Sequence, residues 1–341
     1  MLLAFFSSLV ATAITILLLR KTRFQRVFQD LPTARGLHSN PIPRIGGIAL
    51  FFALAISANT WLAHDSIGCI VGVGLLLFVV SVIDDVRPLP ALLRLLVHTA
   101  AAILIVLFWI NASGLAATSS NFVGNRLLYP AATLAFVFAI VWMTNLYNFM
   151  DGADGLAGGM AVIGFGTYAV AFALHSSTVV SSGVLAAAVS GAAAGFLIFN
   201  FPPAKVFMGD AGSIPLGFLA ITLGIHGSLL GLWPWWFAAL VFSPFIVDAT
   251  ATLVRRTALG HKPWIAHRNH YYQRLILSGW SHRKTALIYY CAMLASAGSA
   301  LIVIARPDSS VMLITWVITY ALLLLLAECY LHQKKNNKIK E

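Results

Sequence analysis

Apolar runs of about twenty residues recur along this chain, separated by short polar stretches. Coiled as helices, runs of that length match the roughly 30 Å hydrocarbon core of a bilayer. About eleven spans are predicted, near 2–19, 45–63, 67–83, 93–110, 128–146, 156–174, 179–199, 214–231, 235–254, 286–305 and 310–330. No internal repeat or low-complexity segment interrupts them. The pattern predicts an all-α polytopic integral membrane protein, with residues 1–341 forming one domain. The first run has no basic residue before it and carries Arg20, Lys21, Arg23 and Arg26 after it. That order predicts an uncleaved anchor with its N-terminus outside, not a secretory signal.

Composition strengthens this picture. Hydrophobic residues make up 60% of the chain and charged ones 10%, against roughly 25% charged in a soluble domain. The net charge of +11 would suit nucleic acid if it were spread over one surface. Instead it is concentrated in alternate loops. With the N-terminus outside, the inside segments are 20–44, 84–92, 147–155, 200–213, 255–285 and the tail from Leu331. Counting Arg94 at its helix start, they hold 20 of the 22 Lys and Arg residues, leaving only Arg126 and Arg306 outside. This positive-inside bias sets the orientation and makes nucleic acid unnecessary. The basic tail 331–341 is expected to stay solvated or rest on anionic headgroups. Trp233, Trp235 and Trp236 are expected to anchor an outer interface. Cys69, Cys291 and Cys329 have no CxxC spacing and are expected to act as small buried hydrophobes.

The same orientation places every loop rich in Asp, Asn, His and Gly on the inside. In HSNPIPRIGG, from His38 to Gly47, Arg44 stands at a helix start, where free N–H groups favour an anion; a stiff turn touching lipid phosphate is the other reading. In IDDVRP, adjacent Asp84 and Asp85 end an apolar span and need water, a cation or a metal. They cannot share a helix face, so one is expected at a site and the other in support, with Arg87 as a partner. In NLYNFMDGADGLAGGM, Asp151 and Asp154 repeat the three-residue spacing of Asn145 and Asn148, which puts them on one helical face. An oxygen-only set of this kind suits a hard cation such as Mg²⁺. NFPPAKVFMGDAGS adds a third isolated carboxylate, Asp210, with Lys205 nearby; Phe207 would stack on a base or pack against lipid. The loop from Arg255 to Thr285 clusters His261, Lys262, His267, Arg268 and His270 with Trp264, Tyr271 and Tyr272. No cysteine is placed to complete a zinc site, so the cluster points to phosphate recognition. Asp248, inside a span, is expected to face substrate, to support residues that do, or to form a structural ion pair.

Taken together, NPIPRIGG, IDDVRP, NLYNFMDGADGLAGG, FMGDAGS and HRNHYYQRL resemble the polyprenyl-phosphate N-acetylhexosamine-1-phosphate transferases, the family that includes the peptidoglycan translocase MraY. The resemblance covers about residues 35–275, and its motif loops fall at 35–47, 83–90, 145–159, 200–213 and 255–285. It implies transfer of a sugar 1-phosphate from a UDP-N-acetylhexosamine to undecaprenyl phosphate, releasing UMP. The expected place is the cytoplasmic face of a bacterial inner membrane, with a periplasmic N-terminus and a cytoplasmic C-terminus. It also implies roles. Asp210 and Asn148 would ligate Mg²⁺, with Mn²⁺ as a substitute. Asp84 and Asp85 would engage the lipid phosphate, Asp151 the metal and nucleotide, and Asp154 the uridine side. His267 and His270 would lie near the diphosphate; Arg44, Asn145, Lys205, Phe207 and Arg268 complete the expected substrate contacts. A homodimer is compatible with this reading. HRNH followed by two tyrosines replaces the adjacent histidines of the peptidoglycan enzyme, which resembles the branch initiating O-antigen, lipopolysaccharide and other surface polysaccharides. DDVRP lacks the lysine that often follows the aspartate pair. The competing class is a secondary transporter of an anionic substrate, which would need polar breaks near the bilayer midplane.

Overall fold

A computed structural model describes residues 1–30, 41–56, 65–112, 128–175, 180–262, 265, 267–305 and 310–340. His38, Trp264, Arg126, Arg306 and the outer loop from 113 to 127 lie outside the described residues.

Thirteen α-helices are seen among those residues. They are α1 (Leu2–Lys21), α2 (Gly46–Ile56), α3 (Asp65–Val86), α4 (Ala91–Ala112), α5 (Leu128–Phe149), α6 (Leu156–Ala173), α7 (Val180–Asn200), α8 (Asp210–Leu229), α9 (Phe237–Val241), α10 (Ser243–Ala258), α11 (Tyr271–Leu277), α12 (His282–Ala305) and α13 (Ser310–Lys340). A two-residue strand pair, β1 (Gln29–Asp30) and β2 (Ile42–Pro43), runs antiparallel between α1 and α2 with Asp30 opposite Ile42. Among the described residues nine helices are long and apolar enough to cross a bilayer, and the protein is an all-α polytopic membrane protein.

Two of the eleven expected spans depart from a single long helix. The second is described only over Gly46–Ile56, the rest lying outside the described residues. The ninth, expected at 235–254, is broken into α9 and α10. Pro244 has no N–H to continue the ladder, and the Leu240 carbonyl is taken instead by the Ser243 hydroxyl at 2.6 Å.

Burial separates an inner from an outer layer. The apolar windows of α6, α7 and α8 are 67, 78 and 83% buried, whereas those of α1, α4 and α13 are 22, 28 and 6% buried. Outer helices that expose Leu, Ile and Val on the outward side are unsuited to water and suited to acyl chains. Because lipid is as apolar as these side chains, the helices are held by close packing rather than by a difference in solvent. Gly191 and Gly195 of α7 let α1 approach so closely that a Cβ would lie 2.0 Å from the Phe5 carbonyl oxygen and 2.4 Å from that of Leu9.

Two sequence expectations change here. Cys291 and Cys329 are exposed on outward faces of α12 and α13, where lipid takes the place of a protein core. Trp233 is buried and stacks on Tyr168 and Phe237, its Nε1–H donating to the Gly224 carbonyl at 3.0 Å. Only Trp235, which is 81% exposed, has the accessibility of an interface anchor.

Candidate active site

The polar ends of several helices converge on one cavity of about 260 Å³. Its wall includes Arg44 before α2, Asn148 and Asp151 at the end of α5, Asp154 before α6, Phe207 and Asp210 before and at the start of α8, and Gln273 of α11. Every one of these residues belongs to a predicted inside segment or borders one. Consecutive spans therefore return to one end of the bundle, and the cavity sits at that end rather than midway along the helices.

Asp210 is held from several sides. Gly209 precedes it at φ +73°, a left-handed conformation that glycine adopts without penalty, and a Cβ there would lie 2.7 Å from Asp85 Oδ2. The two oxygens of Asp85 accept the first N–H groups of α8, from Asp210 at 3.1 Å and Ala211 at 2.9 Å. An acid capping a helix N-terminus is favoured by its free donors and dipole. The side chain of Asp85 is only 1% exposed and does not line the cavity. Asp84 is also buried, accepting the Leu89 N–H at 2.6 Å and pairing with Arg94 Nη1 at 3.1 Å. That same nitrogen lies 3.3 Å from Asp210 Oδ2. Asn148 Nδ2 donates to Asp210 Oδ1 at 2.8 Å and to Ser213 Oγ at 2.9 Å, so the amide, the guanidinium and the helix cap together orient one carboxylate.

The opposite wall is the glycine-rich turn between α5 and α6. A Cβ at Gly152 would meet the Tyr272 hydroxyl at 2.2 Å, and one at Gly159 the Tyr290 ring at 2.0 Å. Asp154 accepts the Ala204 N–H at 3.0 Å, and His282 Nδ1 stands 3.2 Å from its Oδ1. Asn200 ties the turn down, accepting from the Gly155 N–H at 2.8 Å and donating to the Val206 carbonyl at 2.9 Å. Asp151 lines the cavity, half-buried as a residue but with its carboxyl enclosed by protein. Burial, then the neighbouring Asp210 and Asp85 carboxylates, holds its carboxyl well above the ordinary carboxylate range, with Arg44 opposing. Arg44 itself is ion-paired to Asp30 of β1 and lies 3.8 Å from Asp85.

The other expected residues stand behind the wall or beside it. Asn145 donates to the Val141 carbonyl at 2.7 Å and lies 3.2 Å from His98 Nδ1. His270 is buried at the start of α11, with its Nδ1 3.6 Å from Asp248 Oδ1. His267 packs beside it with ring centroids 5.0 Å apart, and burial, with the charges of His270, Arg256 and Arg255, pulls it down to about 4. Lys205 and Arg268 are exposed outside the cavity lining. Asp248 is not substrate-facing: its carboxylate accepts the N–H groups of Tyr271 at 2.8 Å and Tyr272 at 3.0 Å, and the Tyr289 hydroxyl. It anchors α11 and so places Gln273.

Asp30, His98, Asn200, Gln273 and His282 are absent from the sequence-based expectations, and Arg94 enters them only through its charge. Arg94 and His98 carried a usable signal, because ionisable residues one turn apart inside an apolar span need partners. Asp30 and Asn200 carried none, since their contacts are made by distant segments.

The oxygen chemistry of this cavity fits a hard cation. Asp151 and Asp210 are hard donors, and a divalent ion between them would offset both the burial of the Asp151 charge and its repulsion by Asp210. Among the described residues, no three His, Cys, Asp or Glu side chains meet as a complete metal cage. Any such ion would therefore share its ligands among two carboxylates, the Asn148 amide, water and substrate oxygens.

Fold and site define a polytopic membrane protein with an acid- and amide-lined pocket at one end of its bundle. Residues 67–228 match glycosyl transferase family 4, a stretch containing Asp84, Asp85, Arg94, the turn from Asn145 to Asp154, and Asp210. The chain is 31% identical over 306 residues to a probable undecaprenyl-phosphate N-acetylglucosaminyl 1-phosphate transferase of Bacillus subtilis, covering 84% of this chain and 80% of that protein. It is 27% identical over 330 residues to the decaprenyl-phosphate N-acetylglucosaminephosphotransferase of Mycolicibacterium smegmatis, covering 86% and 80%. It is 29% identical over 315 residues to the phospho-N-acetylmuramoyl-pentapeptide-transferase of Anoxybacillus flavithermus, covering 86% and 94%. The chain belongs to the polyprenyl-phosphate N-acetylhexosamine-1-phosphate transferase family.

Proposed function

We propose that this protein transfers N-acetylhexosamine 1-phosphate from a UDP-sugar to undecaprenyl phosphate, releasing UMP, at the cytoplasmic face of a bacterial inner membrane. Initiation of O-antigen or a related surface polysaccharide is the role that suits its HRNHYY motif. The observation that carries the reading is the meeting of Arg44, Asn148, Asp151, Asp154 and Asp210 in one cavity at the end of the bundle where the inside loops gather. A transporter site would be expected nearer the midplane.

The reaction joins an oxygen of the lipid phosphate to the β-phosphorus of the donor and breaks the bond to the bridging oxygen, which leaves with UMP. A phosphate monoester has a second pKa near 6, so the acceptor is already largely dianionic at pH 7 and needs no base. Phosphoryl transfer then depends on positioning and charge. Mg²⁺, held by Asp210 and Asn148 with Asp151 beside it, would supply neutralisation of the donor diphosphate. Arg44 would turn its guanidinium from Asp30 toward a phosphate, Phe207 would stack on the base, and Asp154, braced by His282, would face the uridine. Asp84 and Asp85 fit this scheme as positioning residues, because one holds Arg94 and the other caps the helix that carries Asp210.

Purified protein in detergent with undecaprenyl phosphate, Mg²⁺ and a panel of UDP-N-acetylhexosamines should release UMP with at least one donor. Silence with every donor would overturn the activity. Asp210→Asn is expected to abolish turnover in a protein that elutes and melts like the wild type; near-normal activity would remove Asp210 from the metal site. A trapped sugar-phosphate adduct on Asp84 or Asp85 would replace direct attack with a covalent route.

A further inference from the structure

A second cavity, of about 350 Å³, lies among α10, α11, α12 and α13. The short helix α11 separates it from the first: Gln273 faces one, while Tyr271 and Leu275 line the other. Its walls are mostly apolar, with Ala292 from α12 and Leu324 and Ala327 from α13. The one carboxylate in its lining, Asp248, is saturated by the donors of α11 and Tyr289. Nearby Glu328 is likewise consumed, by the two guanidinium nitrogens of Arg274 at 2.6 and 2.8 Å.

The rim has a different chemistry. Trp280 Nε1–H donates to the Tyr330 hydroxyl at 2.9 Å, which closes the edge with two amphipathic rings. Lys284 Nζ rests 4.2 Å from the Trp280 ring centroid. Lys334 stands one helical turn beyond Tyr330 on α13. Both lysines are exposed, and neither pairs with a carboxylate among the described residues. An apolar slot under aromatic residues and two unpaired cations is complementary to a molecule with a hydrocarbon chain and an anionic head.

We propose that this cavity binds one acyl chain of an anionic phospholipid, with the phosphate held at the rim by Lys284 and Lys334. The acceptor lipid is a poorer fit, because its phosphate must reach the first cavity, and neither lysine lines that cavity. The bound chain would pack on Tyr271 and Leu275, bracing the helix that presents Gln273 to the active site. This assignment is independent of the proposed activity, since its readout is binding.

The test is native mass spectrometry of the full chain released from nanodiscs of mixed phosphatidylglycerol and phosphatidylcholine. The wild type should retain phosphatidylglycerol in preference to phosphatidylcholine. Replacing Lys284 and Lys334 by Gln should reduce that preference by about fivefold for each lysine, from roughly 1 kcal/mol per cation at an anionic surface. Ala292→Trp and, separately, Ala327→Phe should fill the slot and lower retention of both lipids. Each variant is first required to elute as the wild type does, and the exposed lysine pair does not depend on core packing. The assignment fails if the lysine variant keeps the full preference, if neither filling variant loses lipid, or if added undecaprenyl phosphate displaces the retained phospholipid from the wild type but not from the filled variants.

Discussion

Replacing Asp248 tests whether this buried acid serves structure or substrate. The residue is 3% exposed and its carboxylate receives two backbone N–H groups and a tyrosine hydroxyl. Hydrogen bonds to a charged group contribute about 1.5–3 kcal/mol each. Losing three would approach about 5–9 kcal/mol, but Asp248→Ala also removes the cost of burying a charge, so the net loss is expected near 3–5 kcal/mol. Asp248→Asn keeps one oxygen and turns an amide nitrogen toward two donors, which should cost about 2–3 kcal/mol. Both variants should melt below the wild type in detergent, followed by tryptophan fluorescence, with Ala lower than Asn. UMP release should fall in proportion to the loss of ordered α11, and cooling should recover part of it in the Asn variant. If Asp248→Asn melted like the wild type yet lost turnover at every temperature, the carboxylate would be acting on substrate and the structural account would be wrong.

Other outcomes follow from neighbouring contacts. Asn145 uses its amide nitrogen on the Val141 carbonyl, so its oxygen must accept from His98 Nδ1; His98→Ala should destabilise by about 1–2 kcal/mol and slow UMP release, while His98→Gln restores both. Equal damage from Gln and Ala would exclude the hydrogen bond as the cause. His267 is held at about 4 against an ordinary 6.5, so the folded state binds fewer protons than the unfolded one between those values. Its contribution is therefore present above pH 6.5 and lost as pH falls toward 4. Melting measured from about pH 7 down to about pH 5 should drop less steeply in His267→Gln than in wild type, and parallel slopes would contradict the assignment. Gly191→Leu should separate α1 from α7, because the carbonyl of Phe5 occupies the space of a Cβ. Cross-linking between cysteines placed on α1 and α7 would report it, and an unchanged yield would refute the close crossing.

The membrane class was legible in the linear chain, and nine of the eleven expected spans form long apolar helices among the described residues. These properties are sums over many residues: twenty apolar side chains outweigh local exceptions, and the charge bias is shared among 20 of the 22 Lys and Arg residues. Asn148, Asp151, Asp154 and Asp210 could also be picked out, because acids and amides surrounded by apolar sequence need a purpose. Their partition could not. Asp84 and Asp85 look equivalent in sequence, yet one pairs with Arg94 and the other caps α8, contacts made across 10 and about 125 residues of chain. His267 and His270 cluster in sequence with the cations Lys262 and Arg268, but folding turns His270 inward beside Asp248. Arg94 reaches Asp210 from 116 positions away. Hydropathy and charge bias act through the bilayer and are nearly independent of which helices touch. Ion pairs and caps need partners within about 3 Å, and only the packed arrangement of the helices decides which residues come that close.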